Sequence, residues 1–138
     1  DLPPEEAHDL DVVLQKYNMD QILLLAPTST DERIEHVVKQ ASGFIYYVSL
    51  KGVTGAATLD TAEVAARIEK IKTFTDIPVG VGFGINDAAS AKAVGAVADA
   101  VIVGSAFVKP FASLAPEQAV ELAVNKVKEL RAALDELV

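Results

Sequence analysis

The chain is 138 residues long, 51% hydrophobic and 23% charged, with mean hydropathy +0.29 and a formal net charge of −8. That length can bury a core as a single globular unit over residues 1–138, and no apolar run approaches the roughly 20 residues needed to span a bilayer. The acidic balance opposes nucleic acid and anionic lipid, and the absence of cysteine excludes disulfides and thiolate metal ligands.

Pro3, Pro4, Glu5 and Glu6 read as a helix start, with Leu10, Val13 and Leu14 following at helical spacing to about Tyr17. Residues 21–26 are a continuous aliphatic run stopped by Pro27, which predicts a short strand buried on both faces. Ser29 and Glu32 have capping-box spacing, and Ile34, Val37, Val38 and Ala41 mark one face of a helix that ends before Gly43. Residues 44–49 are aromatic and β-branched, hence a second strand. Residues 50–58, with Gly52 and Gly55, are too polar and glycine-rich for an element interior and read as a functional loop.

Asp60 and Glu63 repeat the capping spacing ahead of Val64, Ile68 and Ile71. Residues 76–81 turn and become the third strand. Asn86 is placed to cap a small-residue helix to about Val97, and residues 99–103 form the fourth strand. Residues 105–111 allow a short extra helix, and Pro116 starts an amphipathic helix with Val120, Ala123, Val127, Leu130 and Leu134 inward.

Strands alternating with helices at this period require parallel pairing through right-handed crossovers, so the fold class is α/β. Four strands can form an open flavodoxin-like sheet or the parallel half of a TIM (β/α)8 barrel. The half barrel is favoured because the functional-looking residues sit just after strands, and because a short extra helix follows the last strand, where barrels bind phosphate.

Two apolar strands end in glycine, at Gly82, Phe83 and Gly84 and again at Gly104 and Ser105. Glycine at a strand-to-helix turn can serve φ > 0 alone, but two such ends delivered to one place expose several N–H groups and point to a phosphate site. Neither stretch has Walker or dinucleotide spacing. Tyr46 and Tyr47 alternate, so only one can face the mouth of a barrel. His8 and His36 lie on predicted helices without partners at ligand spacing, so no metal site is expected. The acids mostly belong to helix starts and solvated faces.

Asp1, Leu2, Pro3, Pro4 and Glu5; Leu25, Ala26, Pro27 and Thr28 leading to Arg33; Ser42 to Ser49 with Gly52, Val53, Thr54 and Gly55; Val81 to Ile85; and Val103, Gly104, Ser105 and Ala106 resemble, in order and spacing, the second half of the tryptophan synthase alpha subunit family. That resemblance covers the whole chain. It implies a lyase barrel that cleaves indole-3-glycerol phosphate to indole and glyceraldehyde 3-phosphate, cytoplasmic, with no cofactor of its own and with a pyridoxal-phosphate beta subunit as partner. Carried over by position, Gly55, Gly84, Gly104 and Ser105 match the phosphate-binding backbone, and Phe83 lies beside the substrate. Tyr46 matches a tyrosine near the catalytic acid. Thr54 matches the loop threonine that positions a catalytic aspartate, and Asp1 an aspartate bordering the indole pocket.

The family's general acid/base glutamate and indole-nitrogen aspartate belong to a first-half motif, Glu-x-Gly-x-Pro-Phe-Ser-Asp-Pro, that this sequence lacks. Opening on Asp1 rather than methionine, with no strand before it, the chain reads as a fragment or processed form, expected to be inactive alone. A non-catalytic phosphate-binding half barrel is the alternative. Unpaired edges then predict either completion by the missing N-terminal half or self-association. An unrelated aldolase would need a Schiff-base lysine after a strand, and only Lys51 is near.

Overall fold

The computed structural model describes residues 2–49, 60–82 and 84–137. A 3₁₀ turn at Pro4–Glu6 leads into α1 (His8–Lys16), then β1 (Leu23–Leu25), α2 (Asp31–Gln40), β2 (Ile45–Val48), α3 (Thr61–Lys72), β3 (Val79–Gly82), α4 (Ala88–Gly95), β4 (Ala100–Ile102), the short α5 (Ser105–Val108), a second 3₁₀ turn at Lys109–Ala112, and α6 (Pro116–Asp135). The strands form one parallel sheet in the order β1-β2-β3-β4, with Leu24 opposite Tyr46, Tyr46 opposite Gly80, and Val81 opposite Val101. This is the parallel α/β arrangement of a half barrel. Sequential order across the sheet is what successive right-handed crossovers produce.

Alternation along the strands sorts side chains to two faces. Leu23, Leu25, Ile45, Tyr47, Val79 and Val81 point to the helix layer and are buried there against Ile34, Val37, Val64, Ile68, Ile71 and Val94. Burial pushes the Tyr47 hydroxyl above its usual pKa, against the opposing pull of the Arg67 cation. The opposite face carries Leu24, Tyr46 and Ile102. Leu24 is 40% exposed in mid-strand, which corrects the expectation of a strand buried on both faces. Towards the middle of that face Gly80 and Gly82 are covered by the side chains of Phe44, Ile102 and Tyr46.

Two helix caps, those of α2 and α4, differ from the expected ones by one residue. Ser29 Oγ accepts from the Ala26 N–H (3.0 Å), tightening the turn after β1, so the neighbouring Thr30 caps α2 by accepting from the Arg33 N–H. Likewise Asp87, not Asn86, caps α4, in a reciprocal box with Ser90 that holds the Asp87 carboxyl below the usual carboxylate range. Asp60 caps α3 as expected.

The two end helices depart furthest from the simple amphipathic reading. No residue of α1 is buried, and Leu10 and Val13 are exposed. In α6 the buried positions are Ala119, Leu130 and Ala133, which lie on the side that meets α4, while Val120 and Val127 are exposed. Both helices flank a sheet edge, so each is packed from one side only.

Candidate functional site

The site lies at the C-terminal ends of β3 and β4, where a cleft of about 480 Å³ is lined by Tyr46, Gly84, Ile85, Asn86, Ile102, Gly104, Ser105, Ala106 and Lys109. Four residues singled out from the sequence, Tyr46, Gly84, Gly104 and Ser105, are brought together in it. Thr54, Gly55, Phe83 and Asp1, with the loop at 50–58 that carries Lys51, lie outside the described residues.

Backbone geometry keeps the cleft floor bare. Gly84 has φ +77°, a left-handed conformation that L side chains rarely adopt, and a Cβ added at Gly84 or Gly104 would meet nothing within 4 Å. At Gly82 the reason for glycine differs: a Cβ there would run into the Tyr46 ring, its Cζ only 2.8 Å away. The Tyr46 ring therefore packs against β3 at Gly82 because residue 82 has no side chain. Gly104 precedes α5 at a position where no side chain caps the helix. No described residue accepts from the N–H groups of Gly84, Gly104 or Ser105. The Gly104 carbonyl, by contrast, accepts from the Phe107 N–H at 2.9 Å.

The surrounding elements hold this geometry from several sides. The Ser49 N–H and hydroxyl both donate to the Gly82 carbonyl, at 3.0 and 2.9 Å, tying the end of β2 to the end of β3. Ser90 Oγ reaches back to the N–H groups of Asn86 and Asp87, each at 3.3 Å, which fixes the turn between Gly84 and α4. At the other end of the sheet, Asp99 Oδ2 accepts from the Val79 N–H (2.8 Å) and pairs with Lys72, whose hydrogen bond is the main reason its carboxyl lies below the usual range.

Chemically, the described lining residues of the cleft offer free N–H donors, the Ser105 and Tyr46 hydroxyls and one cation, Lys109. No carboxylate is among its described lining residues. That set can hold an anion and donate hydrogen bonds, and it contains no strong general base. Lys109 escaped the sequence reading. The available signal was its spacing, since it stands four residues after Ser105 on a predicted helix, hence on the same side. His36, expected to be solvent-facing without a partner, is half exposed and lies 3.7 Å from Glu5, a residue remote in sequence. Among the described residues no group of three or more His, Asp or Glu could hold a metal ion, and no helix is long and apolar enough to cross a membrane.

The profile of the family described as "Tryptophan synthase alpha chain" matches residues 1–137. A tryptophan synthase alpha chain from Acinetobacter baylyi is 82% identical over 138 residues, all of this chain and 52% of that relative. A solved structure from Aquifex aeolicus VF5 superimposes with a TM-score of 0.81 at 37% identity, covering 97% of this chain and 48% of that one. Tryptophan synthase from M. tuberculosis, in an open form, gives a TM-score of 0.76 at 32% identity with the same two coverages. The chain spans about half the length of the relatives it matches.

Proposed function

The chain belongs to the tryptophan synthase alpha chain family, and on that premise we propose that it is the half of the lyase barrel that holds the phosphate of indole-3-glycerol phosphate. The observation that carries this reading is the convergence of Gly84, Gly104 and Ser105, with free N–H groups, in one cleft at the strand ends. A phosphate dianion needs several donors at once, and backbone N–H groups supply them without adding charge to be neutralised when the site is empty. Tyr46 borders the same space from β2 and is assigned a supporting role. Gly55 as a phosphate ligand, Phe83 beside the substrate, and Thr54 as the loop residue that positions a catalytic carboxylate enter the proposal on the resemblance alone.

Cleavage of the carbon–carbon bond to indole requires a proton delivered to the ring carbon and one removed from the glycerol hydroxyl. The cleft as described has no carboxylate for either transfer. The acid/base groups are therefore assigned to the complementary half of the barrel, and the chain alone is expected to be inactive. A pyridoxal-phosphate beta subunit is the proposed recipient of the indole. The test is indole release from indole-3-glycerol phosphate, by this chain alone and after mixing with a fragment holding the other half of a relative's barrel. Turnover only in the mixture supports the assignment, and turnover by the chain alone contradicts it.

A second reading, of a phosphate-binding half barrel that self-associates, is favoured by one observation. Leu24 on the open sheet face, Val13 on α1 and Val127 on α6 are each 40–53% exposed, and the sheet ends in β1 and β4 with no further strand among the described residues. Unpaired parallel edges beside exposed apolar faces favour association. Sedimentation velocity across a concentration series tests this: a concentration-dependent dimer is expected, and a monodisperse monomer refutes it.

A further inference from the structure

We propose that Lys109 is the residue that sets the charge selectivity of the cleft, supplying a cation that favours a phosphate dianion over a neutral or singly charged ligand; this rests on the phosphate reading above. Three observations place it in that role. Lys109 lines the same cleft as Gly84, Gly104 and Ser105 and is its only charged residue among those described. It lies one helical turn after Ser105, where α5 runs directly into the 3₁₀ turn at Lys109–Ala112; its own backbone is still helical at φ −52°, ψ −44°, and Pro110 fixes the turn that follows. The lysine stem is thereby anchored on the Ser105 side of the turn.

The third observation concerns what Lys109 does not touch. Lys39, Lys70, Lys72, Lys92 and Lys126 each pair with a carboxylate. Lys109, like Lys16 and Lys128, shows no such pairing among the described residues, and of these three it alone lines the cleft. In a chain of net charge −8 the bulk field repels an incoming dianion, so a cation that is not neutralised by its own protein counts for more than its exposure alone suggests. Backbone N–H groups recognise an oxygen acceptor but discriminate weakly between charge states, whereas a point charge discriminates directly. The cleft then divides its labour: N–H groups give geometry and Lys109 gives charge preference.

The test uses the 15N-labelled 138-residue chain titrated with inorganic phosphate at 50 mM and 500 mM chloride, for the unchanged protein and for Lys109→Met, Lys109→Arg and Lys109→Glu. Removal of the cation is expected to weaken phosphate binding roughly tenfold at low salt and much less at high salt. Lys109→Arg should stay within about twofold, and Lys109→Glu should bind more weakly than Lys109→Met. If phosphate shifts the Gly84, Gly104 and Ser105 amides equally in the unchanged chain and in Lys109→Met, the role of Lys109 is overturned while the phosphate site stands. If phosphate shifts none of these amides in the unchanged chain, the phosphate reading itself fails. The salt dependence is read as a difference: a loss on Lys109→Met that is no larger at 50 mM than at 500 mM chloride also overturns the role.

Discussion

Replacing Gly104 with alanine should separate binding from folding. A Cβ at that position meets nothing within 4 Å, and the residue has a negative φ, −116°, outside the left-handed region that favours glycine. Alanine meets no packing clash there and removes conformational freedom from the unfolded chain, so stability should stay within about 1 kcal/mol of the unchanged chain. The same methyl group, however, enters the space where a phosphate oxygen would approach the Gly104 and Ser105 amides. A hydrogen bond to a charged group is worth about 1.5–3 kcal/mol, so losing one weakens binding by about tenfold to a hundredfold. Gly82→Ala is the contrasting case, because its methyl drives into the Tyr46 ring and overpacking of this kind costs about 1–3 kcal/mol. Urea unfolding gives the stabilities and phosphate titration the affinities. The reasoning is refuted if Gly104→Ala unfolds as easily as Gly82→Ala, or if it binds phosphate as well as the unchanged chain.

Other perturbations test the frame around the cleft. Asp99→Asn removes the Lys72 ion pair and weakens the bond to the Val79 N–H; since Asp99 is partly exposed, the loss at neutral pH should be no more than about 1 kcal/mol. Because the folded-state pKa of Asp99 is lowered, its contribution is fully present above the unfolded aspartate value of about 3.9 and fades as pH falls through the lower folded value. The stability gap between variant and unchanged chain, followed by urea midpoints, should therefore close towards pH 2, and a gap that widens would contradict the assignment. Asp87→Ala breaks the capping box of α4 and should cost about 0.5–2 kcal/mol, with amide exchange rising at Asn86 and Ser90. Unchanged exchange there would show that the turn is held by other contacts.

The α/β alternation was readable because each strand is a short apolar run and each helix has a periodic face, and both patterns follow from what the residue types can bury. The faces of α1 and α6 were readable as apolar but not as exposed. Leu10, Val13, Val120 and Val127 fit a helix that packs on two sides, and nothing local says that these helices stand at the ends of a sheet. Leu24 carries the same lesson, since an unalternating run implies two covered faces and only one is covered among the described elements. The cap positions slipped by one residue where two candidates adjoin: Ser29 Oγ is taken by the Ala26 N–H, leaving Thr30 for α2, and Asp87 stands beside Asn86 ahead of α4. In the site, the glycines were conspicuous because strand ends rarely need two of them. Lys109 was not, because a lysine at the end of a short helix looks like any solvated charge until the turn sets it beside Ser105. The contact of Glu5 with Arg33 and His36 joins residues about thirty apart in sequence, which no local pattern encodes.

The most direct measurement is a titration of the 15N-labelled chain with sn-glycerol 3-phosphate, following every backbone amide. If this half holds the substrate phosphate, the Gly84, Gly104 and Ser105 amides shift together and saturate at one common concentration, with the α1 amides unmoved. Saturating ligand that leaves those three amides in place, or that moves residues elsewhere instead, contradicts the account.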